Sequence, residues 1–188
     1  MANSPRRYTI DTIVNSLDSL LDLAAKCARE LGRNPKITAA QLKSSNSAHL
    51  CPQGTLSVVY AMTGIKKLGS ISGDGDSFSF KGTPTRQRSS MVTNPPYYND
   101  KIKLGDTKQE VSKYWDDKSK WQIGDIIALG YSGKKWGHIQ VWTGVKWQSD
   151  FSQRTLGYNP EWSSVALWRL NDAGREAVKK QFQLKNLT

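Results

Sequence analysis

The spacing of apolar residues changes period once along this chain. That change restricts it to folds in which helices come first and a sheet follows. In residues 9 to 32, Val14, Leu17, Leu21, Ala24, Ala28 and Leu31 recur at the intervals of one helix face. Thr9 or Asp11 is placed to cap its start, and Gly32 with Asn34-Pro35 to end it. A short helix is expected around Thr38 to Lys43, with Thr38 as its cap. Residues 51 to 63 read as a further helix with Pro52 in its first turn, where a missing N–H leaves no bond unmade. Leu56, Val59, Tyr60 and Thr63 supply its inner face, and Gly64 stops it.

From Trp121 onward the apolar residues alternate. Residues 123 to 129, 138 to 143, 146 to 151 and 164 to 170 read as strands, with turns at Ser132-Gly133-Lys134-Lys135 and Thr143-Gly144. Asn171 then caps a polar helix running to about Phe182. Between the two regimes, residues 65 to 100 are rich in turn signals, with a short strand expected at 77 to 81. Gly73-Asp74-Gly75-Asp76 lacks the downstream Glu of an EF-hand and reads as a turn. A helix capped by Asp106 is expected over residues 106 to 116. The expected fold class is α+β: N-terminal helices packed on a small antiparallel sheet. Residues 1–188 read as one domain, helical over about 8–64, sheet over about 121–170 and closed by a helix over about 171–183.

Lys and Arg number 27 against 16 Asp and Glu, a formal net charge of +11 that attracts polyanions. The basic residues are scattered, which suits a diffuse polyanion better than a shaped groove. No basic-aromatic motif of a nucleic-acid module is present, so nucleic acid is not the favoured partner. No apolar run approaches the roughly 20 residues of a membrane-spanning helix. Met1 to Arg7 has no apolar signal-peptide core. The expectation is synthesis in the cytoplasm, with any action in the periplasm or outside the cell following lysis or injection.

The chain has two cysteines and two histidines. Cys27 lies inside a helical apolar pattern and reads as a buried, inert thiol. Cys51 opens a helix, where unpaired N–H groups and the positive dipole end favour a thiolate. A cysteine nucleophile at neutral pH needs a base. His138, at the start of a strand, is the better candidate; His49, in the loop just before Cys51, is placed to shape the site. A third group normally fixes the imidazole tautomer. Asp150, on the strand after His138, is the candidate, with Gln148 on the same strand face as runner-up; Gln148 and His49 are otherwise expected as substrate contacts. Trp136, beside Gly137-His138, is the better candidate for lining a substrate groove; Trp147 is also near enough to line one, while core filling is the better reading for Trp142 and Trp168. No cofactor and no metal are implied.

Trp121-Gln-Ile-Gly-Asp-Ile-Ile-Ala-Leu129, Trp136-Gly-His-Ile-Gln-Val-Trp-Thr-Gly144 and then Asp150 resemble the C-terminal half of the NlpC-type and CHAP-type cysteine peptidases and amidases. Cys51-Pro-Gln-Gly-Thr-Leu-Ser-Val-Val-Tyr60 resembles their nucleophile helix. The resemblance spans roughly residues 46 to 151 and implies a papain-like core. It makes Cys51 the nucleophile, His138 the base and Asp150 the orienting residue, with the backbone N–H of Cys51 as one oxyanion donor. It further implies hydrolysis of peptidoglycan amide or peptide bonds by a monomeric lysin or amidase, such as a phage endolysin or an injected toxin with a cognate immunity or inhibitor protein. Two rival readings remain: a non-catalytic polyanion-binding module, and a Cys-His transglutaminase or deamidase.

Overall fold

A computed structural model describes residues 10–64, 97–99, 102, 104, 108–131, 137–153 and 162–182. The first helix, α1, is Ile10–Glu30, so Asp11 lies within it and Thr9 lies outside the described residues. It ends where Gly32 takes φ 62°. There Gly32 N–H donates to Arg29 O and Arg33 N–H to Ala28 O, satisfying the last carbonyls. Thr38 caps α2 (Ala39–Lys43), its hydroxyl accepting from Gln41 N–H at 3.1 Å. Helix α3 (Cys51–Thr63) has Pro52 in its first turn and a left-handed Gly64 after its last. It is buried from Pro52 to Thr63 apart from Gln53, so it is a core helix rather than a surface one.

The remaining elements among the described residues are α4 (Lys108–Asp116), a 3-10 turn (Lys118–Lys120), five strands and α5 (Asp172–Phe182). The strands β1 (Ile126–Tyr131), β2 (Gly137–Trp142), β3 (Trp147–Gln148), β4 (Ser152–Gln153) and β5 (Trp162–Trp168) form one antiparallel sheet in the order β4-β3-β2-β1-β5. The protein is thus α+β. The strand expected at 77 to 81 and the cap expected of Asp106 lie outside the described residues. Asn171 caps α5 through its side chain, which accepts from Gly174 N–H at 2.9 Å.

Strand alternation sorts the sheet's side chains into two cores. Ile126, Ala128, Ile139 and Val141 join α1, α3 and Val178 of α5 in one. Ile127, Leu129 and Leu167 face Val111 and Tyr114 of α4 and Trp121 in the other. Trp147 is fully buried in this second core and Trp142 packs against it. Their rings lie 5.4 Å apart, and Trp121 sits edge-on to both. Trp142 and Trp147 therefore fill core rather than line a groove. Among the described residues no helix is long and apolar enough to cross a membrane.

Asp125 anchors the start of β1. Its carboxylate is fully buried and holds Arg169 in a two-pronged ion pair with both bonds at 2.8 Å. It also accepts from Tyr114 O–H at 2.7 Å and from Gln122 N–H at 3.0 Å. Removing the carboxylate strands the guanidinium and two donors together. Asp125→Ala is expected to cost about 3–5 kcal/mol of folding free energy, read as a lowered urea midpoint with unchanged slope.

Candidate active site

The site forms where the N-terminus of α3 meets the start of β2. Cys51 Sγ lies 3.2 Å from His138 Nδ1, across 87 residues of sequence. Both side chains are half-buried, within reach of a ligand from solvent. Neither cysteine is in a disulfide, and Cys27 is buried on α1. Helix α3 is fixed across β2 by Thr55, whose hydroxyl donates to Ile139 O at 3.0 Å.

The segment from β3 through β4 organises the rest. Gln148 is fully buried. Its amide donates to Leu42 O at 2.9 Å and accepts from Ser152 O–H at 2.7 Å. It thereby satisfies an orphan carbonyl at the end of α2, so it is a helix-capping residue and not a substrate contact. Ser152 adds a second donor to the same carbonyl.

Asp150 is also fully buried. Its Oδ2 accepts from Ala48 N–H at 2.6 Å, Leu50 N–H at 3.1 Å and Ser47 O–H at 3.1 Å. Two amides two residues apart converge on one oxygen because His49 between them adopts φ 60°, the left-handed turn that builds an anion nest. That conformation costs a non-glycine residue about 1–2 kcal/mol, and the carboxylate offsets it. His49 itself is exposed, with its N–H on Ser47 Oγ. It shapes the loop through its backbone.

Asp150 thus faces the sulfur side of the pair, and the orienting position expected of it is taken by others. His138 Nε2 meets Gln140 Oε1 at 3.2 Å and Gln153 Nε2 at 2.7 Å. The physical reason is a break in the strand. Continuing the Val141–Gln148 pairing would set residue 151 across from His138, and the Phe151 ring does lie 5.8 Å from the imidazole. The chain bends at Ser149, whose N–H donates to Phe151 O, and turns Asp150 toward the 47–50 loop. Gln153 had no signal in the sequence beyond its polarity. Gln140 was legible as the residue sharing a strand face with His138. Trp136 lies outside the described residues.

The electrostatics differ from the expectation of a ready-made thiolate. Burial, and then the nearby Asp150 carboxylate, push the Cys51 thiol up to about 12, against smaller lowering by Ser47 and its own N–H. The thiol is therefore neutral at neutral pH and gives up its proton only to a base as it reacts. For Asp150, burial alone would raise the carboxyl. The bonds from Leu50, Cys51, Ala48 and Ser47 outweigh it and hold the group below the usual range. Its contribution to stability is present above the ordinary carboxyl value near 3.9 and is lost as pH falls through the lower folded value.

Among the described residues no group of three or more His, Cys, Asp or Glu is placed to hold a metal. Comparison of the chain with protein-family models, curated protein sequences and solved structures found no match in any of the three.

Gly54, a poor helix former in the first turns of α3, is explained by this packing. A Cβ there would meet Ser149 C at 2.6 Å and the Cα and N of Asp150, all backbone. The close approach is what brings the Asp150 carboxylate under the 47–50 loop. Gly54→Ala is expected to destabilise the fold by about 1–3 kcal/mol. It should also disperse the chemical shifts of residues 47–51 in a heteronuclear NMR spectrum while leaving those of α5 in place.

Proposed function

We propose that this chain is a cysteine hydrolase of bacterial peptidoglycan, with Cys51 as nucleophile and His138 as general base. The observation that carries the reading is the 3.2 Å contact between Cys51 Sγ and His138 Nδ1, a nucleophile and a base within hydrogen-bond reach at a helix N-terminus. A helix N-terminus set against an antiparallel sheet is compatible with the papain-like core that the resemblance implies. The substrate class comes from the NlpC-type and CHAP-type resemblance, and the +11 net charge suits an anionic wall.

Chemically, the thiol proton passes to His138 Nδ1 as sulfur attacks the amide carbonyl carbon. The oxyanion so formed lies next to the first turn of α3, where the Cys51 N–H and the helix dipole favour negative charge. Collapse expels the amine, which takes the proton from His138, and leaves a thioester on Cys51. Water, deprotonated by His138, then attacks the thioester, releasing a carboxylate and restoring the thiol. An immunity or inhibitor protein covering the Cys51 face would be the natural antagonist.

The test is digestion of purified peptidoglycan followed by mass spectrometry of the released muropeptides. Wild type should yield new paired amine and carboxyl ends. Cys51→Ala should yield none, and His138→Ala should be slower by roughly 10²–10⁴-fold. Products carrying an added amine would instead establish acyl transfer, and equal digestion by Cys51→Ala would exclude the thiol mechanism.

A further inference from the structure

The far side of the imidazole carries information that the sulfur side does not. His138 Nε2 has an amide oxygen, Gln140 Oε1, at 3.2 Å and an amide nitrogen, Gln153 Nε2, at 2.7 Å. One ring nitrogen of a neutral imidazole donates and the other accepts. A protonated Nε2 suits the Gln140 oxygen and opposes the Gln153 nitrogen, whereas a bare Nε2 does the reverse. The two contacts therefore demand opposite tautomers.

The base role decides between them. To take the Cys51 proton, His138 must present a bare Nδ1 to the sulfur 3.2 Å away, and a bare Nδ1 in a neutral ring places the proton on Nε2. Half a turn about the last side-chain torsion of Gln153 exchanges its nitrogen and oxygen without moving another atom. Both glutamines then offer an oxygen to the same N–H.

We propose that Gln153 is the positioning residue of this site: its amide oxygen accepts the Nε2 proton of His138, with Gln140 as second acceptor, and so holds the imidazole in the tautomer whose bare Nδ1 faces the Cys51 thiol. The role rests on the hydrolase reading for its effect on rate, but the tautomer itself is a property of the resting protein. Two neutral amides here take the place that a carboxylate was expected to hold. The carboxylate of the segment, Asp150, is occupied by Ser47, Ala48 and Leu50. Gln153 is half-buried at the end of β4, so replacing it leaves both cores untouched.

The experiment is long-range ¹⁵N–¹H correlation NMR of histidine-labelled protein with reduced thiols, at a pH where the ring is neutral. His49 is the only other histidine, and a His49→Ala sample assigns the signals. Wild type should show the Nε2–H tautomer at His138. Gln153→Ala should show a tautomer mixture and a kcat on peptidoglycan lower by roughly 10²-fold. Gln153→Glu, which can only accept when ionised, should restore both the tautomer and most of the rate. An Nδ1–H tautomer in wild type would overturn the proposal, as would a Gln153→Ala protein with unchanged tautomer and rate, or a Gln153→Glu protein no better than Gln153→Ala. An Nε2–H wild type that leaves peptidoglycan intact would sink the hydrolase reading and leave the positioning role standing.

Discussion

A single buried carboxylate holds the candidate site together. Asp150 Oδ2 gathers two backbone amides and a hydroxyl from the four residues that precede Cys51. Bonds to a charged acceptor are each worth about 1.5–3 kcal/mol, more than the strain of the left-handed His49 they stabilise. Without them the loop has no reason to turn where it does, and the sulfur at the head of α3 has no fixed position in front of His138. Gly54 belongs to the same constraint, since only a residue without a side chain lets α3 approach the Asp150 backbone this closely.

The carboxylate also sets the chemistry. Burial and then the negative charge beside the thiol oppose its ionisation, and the Ser47 hydroxyl and the Cys51 N–H lower it by less. Such a sulfur stays protonated until an electrophile arrives and His138, already 3.2 Å away, takes the proton. That places the demand on His138, and therefore on whatever fixes its ring. The short segment from Trp147 to Gln153 meets both demands at once: Gln148 caps α2, Asp150 clamps the loop, Phe151 flanks the imidazole and Gln153 reaches its far nitrogen.

Much of this was legible in the chain. The helix from Cys51 to Thr63, its proline start and its glycine stop follow from local rules, as does the capping by Thr38 and Asn171. The pairing of β1 with β2 follows from alternation. The scarcity of histidine led to His138, and the helix start led to Cys51. The roles of Asp150, Gln148 and Gln153 were not legible, because they depend on where β3 breaks. A one-residue bend reverses which side chains share a face, and nothing in Gln148-Ser149-Asp150-Phe151 announces that bend. Trp147 likewise looked like a groove residue by proximity to His138, whereas the pleat points it into the core.

The most direct test of the Asp150 clamp is amide hydrogen exchange at Ala48 and Leu50, measured residue by residue in wild type and in Asp150→Asn. Both amides should be protected in wild type, although Ala48 and Leu50 lie in a loop that no secondary-structure ladder covers. Both should exchange roughly 10- to 100-fold faster in the variant, with α1 and β1 unchanged. Wild-type exchange at the rate of an open loop, or protection that survives loss of the charge, would contradict the account.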